Sequence, residues 1–161
     1  MEKFQELRET ANKKLRLADH MATSSYMLLH DPKILLSAVN TLYHSVYAAM
    51  SSVLEHERLF KRVPAFSDTF DSKFYVFKTK IVNKHKISTD SVKLLKDLYN
   101  LQLAHKRSSI EFSKNNSFVI ASDNYELRSI DLKSLKNYLN KAKVFIRETS
   151  NITITNDKLF R

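Results

Sequence analysis

A chain of 161 residues with 43% hydrophobic side chains is the size of one domain and can fill a core, and no run approaches the ~20 apolar residues that span a bilayer. Zero Cys excludes disulfides, thiolate metal sites and cysteine nucleophiles, while zero Gly excludes a P-loop, a Rossmann fingerprint and a nucleophile elbow, which need a residue without a Cβ. A formal charge of +10 favours an anionic partner, and a chain without glycine for tight hairpins is expected to be all-α.

The opening MEKFQELRET is charged and lacks the apolar stretch of a secretory signal, so a cytoplasmic protein without membrane association is expected. From Phe4 to Leu29 the chain reads as one long helix, with Phe4, Leu7, Ala11, Leu15, Ala18, Met21 and Ala22 near helical spacing. Asp31-Pro32 ends it, because proline disfavours helix at the residue before it and suits the first turn of the next one. The second helix, Pro32 to about Glu57, carries Ile34, Leu35, Ala38, Leu42, Val46, Ala49, Met50, Val53 and Leu54 on one face. Its many Ser and Ala residues let a neighbour approach closely, which marks it as the central helix.

A loop follows from Leu59 to Pro64, then a third helix is predicted over Ser67 to Ile87. Ser88-Thr89-Asp90 supplies caps for a fourth helix that runs into LAHKRSSIEFSKNN (Leu103 to Asn116) and frays at Asn115-Asn116. The stretch SFVIASDNYELRS (Ser117 to Ser129) holds no helical period and reads as an irregular connection or short extended piece. Asp131 to about Arg147 forms the last helix, with Leu132, Leu135, Leu139, Ala142 and Ile146 facing inward. The expected architecture is one up-and-down bundle of about five helices over residues 1–150, with 151–161 a tail that is terminal, polar and a candidate for disorder.

Two segments carry a more specific likeness. SAVNTLYHSVYAAMSSVL (Ser37 to Leu54) has a Ser/Ala start, aromatic residues, a small residue and a hydrophobic run, and resembles the second helix of HEPN-superfamily domains. Arg107-Ser-Ser-Ile-Glu-Phe112 is similar to the Arg-x-x-small-Asp-Tyr segment that this family carries near the end of a later helix. The resemblance implies a homodimeric helical domain that handles RNA or a nucleotide without a cofactor. Many family members are metal-independent ribonucleases with an Arg–His pair at the subunit interface, and others are nucleotidyltransferase partners or nucleotide-binding modules. Here Arg107 takes the place of the family's Arg, and its His would fall at Phe112, Ser113 or Lys114, none of which is a His. The resemblance therefore implies a partner or regulatory subunit lacking the usual nuclease pair, as in a nucleotidyltransferase or toxin–antitoxin system.

The residues themselves leave three readings. Binding of RNA or a nucleotide would use Arg107, Lys106, Glu111, Tyr43, Tyr47 and Lys114, since an Arg holds phosphate bidentately and Tyr presents a flat ring. A divergent ribonuclease would pair Arg107 with His105 or His44, His having the pKa range for acid–base work. His105 and Arg107 point roughly 200° apart on a helix, so they do not share a face within one chain, though they could come together across a dimer axis. The third reading is a helical adaptor in which the basic helix end answers the helix dipole and Arg107–Glu111 is a surface i, i+4 pair. The lysines of KFYVFKTKIVNKHK (Lys73 to Lys86) alternate with aromatics, a pattern that can serve nucleic-acid phosphates and bases, but the apolar spacing favours core aromatics beside solvated lysines. His20, His30, His56 and His85 lack ligand spacing, so no metal site is expected.

Overall fold

A computed structural model describes residues 1–108, 110–122 and 126–155. It is mostly helical, with a small three-stranded sheet inserted before the last helix. Helix α1 (Lys3–His20) passes through a π-helical stretch (Met21–Ser25) into α2 (Tyr26–Leu29), so the predicted first helix forms one rod. The wider i→i+5 turns keep Ala18, Ala22 and Tyr26, four residues apart, on the buried side. His30 leaves the rod in the left-handed conformation (φ 50°), and the Asp31 carboxylate accepts from the Lys33 amide (3.0 Å) with Pro32 at the first helical position.

Helix α3 (Pro32–Leu59) is the centre of the core, burying Leu35, Leu42, Met50 and Leu54 completely. The small residues do what their size suggests. Ser45 Oγ donates to the Ala11 carbonyl (2.6 Å) and Ser52 Oγ to the Phe4 carbonyl (2.9 Å), so α1 and α3 run antiparallel with backbone within reach of side chain. Each such bond contributes about 1 kcal/mol and leaves no buried hydroxyl unpaired.

The third helix is much shorter than predicted: α4 (Phe70–Val76), capped by Thr69, continues only through a π-helical stretch (Phe77–Ile81) before turns take over. Helix α5 (Thr89–Arg107) starts at the Ser88 cap, where Glu148 accepts from the Ser88 amide (2.9 Å), placing a carboxylate on the positive end of the helix.

The expectation of an all-α chain fails at 110–130. Helix α5 stops at Arg107, and residues read as its continuation form strand β1 (Ile110–Lys114), paired antiparallel with β2 (Ser117–Ala121), which pairs with β3 (Leu127–Ile130). The β1–β2 turn is Asn115-Asn116, both at positive φ (49° and 62°). Asparagine tolerates this region, so a two-residue hairpin forms without glycine. The Tyr26 hydroxyl donates to the Asn116 carbonyl (3.4 Å) and anchors the turn to α2. Phe118, Ile120 and Ile130 put the inner face of the sheet into the core.

Helix α6 (Leu132–Ile154) begins at the Asp131 capping box and runs seven residues past Arg147, with Thr149 and Thr153 buried. Arg8 Nη1 donates to Thr153 Oγ1 (3.1 Å) and Lys143 pairs with Asp19 (3.6 Å), which sets α6 antiparallel to α1. Of the expected tail, 151–154 is thus helix and 156–161 lies outside the described residues.

Candidate functional site

Arg107 is the last residue of α5, and the sheet that follows folds back beside it. The result is a cleft of about 260 Å³ between the end of α5 and the start of β3, lined by Asn100, Leu103, Ala104, Arg107, Glu126 and Arg128. Arg107 and Arg128 are both exposed, and among the described residues neither makes an ion pair or side-chain hydrogen bond. Two guanidinium groups offer forked donors and no acceptor, and the Asn100 amide adds donor capacity. That set suits an anion with several oxygens, such as a phosphate. Glu126 is the one carboxylate among the described lining residues.

The chain then brings a second group together. Ser108 leaves α5 in an extended conformation (φ −70°, ψ 137°), and β1 returns Glu111 to the helix end. Glu111 Oε1 lies 2.5 Å from His105 Nδ1 and accepts from Ser108 Oγ at 2.6 Å. Since the carboxylate accepts, Nδ1 carries the proton, and Nε2 is the lone-pair nitrogen of the neutral ring. With side-chain exposures of 38% for His105 and 24% for Glu111, this is an oriented imidazole at the surface.

These contacts replace the expected pair. Arg107 and Glu111 are not one helical turn apart, because Glu111 is on a strand and serves His105 and Ser108. His105 and Arg107 diverge as helix geometry predicts, the first toward β1 and the second into the cleft with Arg128. Phe112, Ser113 and Lys114 also lie on β1 and are exposed, with Lys114 opposite Ser117 at the hairpin end, away from the cleft.

The residues of α3 go elsewhere. His44 does not line the Arg107 cleft; partial burial lowers its pKa, and the charges of Lys14 and Lys106 add to this, so both lysines act on it and favour the neutral ring. Tyr43 and Tyr47 (ring centroids 5.9 Å apart) pack into an aromatic cluster with Phe70 and Tyr99, which are stacked at 3.9 Å. Burial raises the Tyr43 pKa, with Tyr47, Tyr99 and Asp71 adding to it, so the phenol stays neutral. The Lys73 ammonium sits 4.8 Å from the Tyr47 ring and bonds Asp68 (2.7 Å) and Ser51 (3.1 Å). This cluster is core, not cleft.

Arg128 and Asn100 line the cleft without standing among the residues that the sequence singles out. Two apolar-containing runs, IEFSK and SFVIA, flank Asn-Asn, which is a hairpin signal, and recognising it places the next strand and Arg128 back against α5. Among the described residues no group of three or more His, Cys, Asp or Glu could hold a metal ion, and no helix is long and apolar enough to cross a membrane. Neither protein-family models nor curated proteins provide a match to the chain.

Proposed function

We propose that this protein is a HEPN-like RNA- or nucleotide-binding module, acting as a non-catalytic partner or regulatory subunit in a homodimer, with a nucleotidyltransferase as one class of partner. The observation that carries the reading is the Arg107–Arg128 pair, two guanidinium groups with no ion pair or side-chain hydrogen bond among the described residues, lining one cleft of a chain with charge +10. A phosphate there receives charge-assisted forked hydrogen bonds, each worth about 1.5–3 kcal/mol. The test is fluorescence anisotropy with a labelled RNA oligonucleotide at two salt concentrations. Arg107→Ala and Arg128→Ala are expected to weaken binding about ten-fold or more each, with unchanged circular dichroism. A double variant that binds as tightly as the native chain would refute the cleft.

One observation favours a second reading, a metal-independent ribonuclease: Glu111 orients His105. In that reaction Nε2 takes the proton of a ribose 2′-hydroxyl, the oxygen attacks the adjacent phosphorus, and the 5′-oxygen leaves and is protonated, giving a cyclic phosphate and a 5′-hydroxyl. Labelled RNA incubated with the protein and a chelator decides it. Absence of cleavage, or cleavage undiminished in His105→Ala and His44→Ala, sinks this reading.

A further inference from the structure

A larger hollow, about 540 Å³, lies between α5 and the segment that begins at α4. Its apolar walls are Phe74, Val82 and Val92, and Lys78, Lys93 and Lys96 stand at its rim. Phe74 is braced from behind: its ring stacks on Phe70 (5.3 Å, 14° between planes), and Phe70 stacks on Tyr99. Lys96 Nζ lies 5.8 Å from the Phe74 ring and 5.6 Å from that of Tyr99. A fixed aromatic ring beside ammonium groups is the pairing that receives a base and its phosphate.

This hollow and the Arg107 cleft share a wall. Lys93, Lys96, Asn100, Leu103 and Arg107 follow one another at three or four residues along α5, on the side opposite the buried Leu94, Leu98 and Leu101. At 1.5 Å per residue, Lys93 and Arg107 are about 21 Å apart along the axis. Together the two hollows present five cations (Lys78, Lys93, Lys96, Arg107 and Arg128) against two carboxylates, Asp97 and Glu126.

We propose that the two hollows form one track for single-stranded RNA, which lays its phosphates along the exposed stripe of α5 from Arg107 to Lys93 and stacks a base on Phe74. The proposal rests on the reading of the Arg107 cleft as a phosphate site and extends it from a nucleotide to a strand. A mononucleotide does not span the stripe, whereas about four nucleotides, the low end of single-strand site sizes, do. A duplex keeps its bases stacked on one another and leaves Phe74 without a partner. An acidic protein segment would meet the same lysines but has no flat ring system for Phe74 as a rule.

The experiment compares anisotropy binding of a labelled adenylate dinucleotide and decamer to the full chain. The decamer is expected to bind at least ten-fold more tightly. Lys93→Ala/Lys96→Ala should remove most of that advantage, leave the dinucleotide unchanged, and lower the decamer's log–log salt slope by about 1.4, at about 0.7 per phosphate contact. Both lysines are exposed and the Lys96 ring contacts are long, so this variant is expected to stay folded with its thermal midpoint little changed. Phe74→Leu should weaken the decamer alone. If the lysine variant binds the decamer like the native chain while Arg107→Ala still weakens it, the track is wrong and the cleft stands. If Arg107→Ala changes neither ligand, both fall. Competition by polyglutamate as effective as by unlabelled decamer overturns the track in favour of an acidic protein partner.

Discussion

Two carboxylates in this molecule each hold a histidine: Glu57 near the end of α3 takes His85, and Glu111 on β1 takes His105. Glu57 is fully buried. Its Oε1 is 3.1 Å from His85 Nε2, and its Oε2 is 3.4 Å from Arg62 and 3.5 Å from Lys84, so one carboxylate ties the loop after α3 and the turn before α5 to the central helix. Burial alone would raise its pKa, but His56 beside it and the charges of Lys84, Arg62 and His85 outweigh that and hold it at about 2. Glu111 has one histidine, one hydroxyl and partial access to water. The same pair of residue types is thus a clamp where every side is covered by protein, and an orienting contact where one side is open. What separates them is burial and the number of cations, not the identity of the pair.

The largest effect is expected at Glu57. Glu57→Ala strands Arg62, Lys84 and His85, and since Arg62 and Lys84 are about half exposed the cost belongs at the low end of buried-pair losses, about 3 kcal/mol. Urea unfolding reads this directly; a loss below about 1 kcal/mol would mean that Glu57 is no clamp.

Acid comes next. The folded pKa of Glu57 lies below its ordinary 4.5, so the unfolded chain binds the proton first. Its stabilisation is therefore complete above pH 4.5 and is lost as the pH falls toward 2. At about 1.4 kcal/mol per unit, up to about 3 kcal/mol is at stake. Unfolding free energies measured between pH 5 and pH 2.5 should fall, and Glu57→Gln should flatten that part of the profile. An unchanged slope in the variant would assign the acid sensitivity to other carboxylates.

The smallest effect on stability is expected at Glu111. Glu111→Gln should cost less than about 1 kcal/mol, as for other exposed pairs. It should still shift His105 away from the tautomer protonated at Nδ1, seen in the ¹⁵N spectrum of the ring. A loss as large as that of the Glu57 variant, or an unaltered tautomer, would erase the distinction between the two pairs.

Much of the frame was legible from residues that act locally. Asp31-Pro32, Ser88 and Asp131 start helices α3, α5 and α6 where their capping chemistry predicts, and the small residues of α3 receive α1 at close range. Periodicity overextends the third helix, because the apolar spacing of Phe70, Phe74, Phe77 and Ile81 persists through a π-helical stretch while hydrogen bonding beyond it turns irregular. Local pattern also carries the expected helix α5 too far, through Glu111. Arg107-Ser-Ser-Ile-Glu-Phe fits a helical motif, but Phe118 and Ile120 gain burial only if β1 pairs with β2, and Asn115-Asn116 supplies the turn that lets it.

Of the candidate site, Arg107, His105 and Glu111 were visible in one short stretch, but their relations were not. The helix starts, the buried face of α3 and the excess of positive charge are local properties of the chain, because caps, periodicity and charge depend on neighbours within a turn or two. Tertiary packing places Arg107 and Arg128 in one cleft, gives Glu111 to His105 in place of Arg107, and sets Lys93 and Lys96 on a stripe of α5 beside that cleft. Those pairings depend on a hairpin folding back over a helix end, and that closure is set by burial of the inner face of the sheet, which no local pattern of residues encodes.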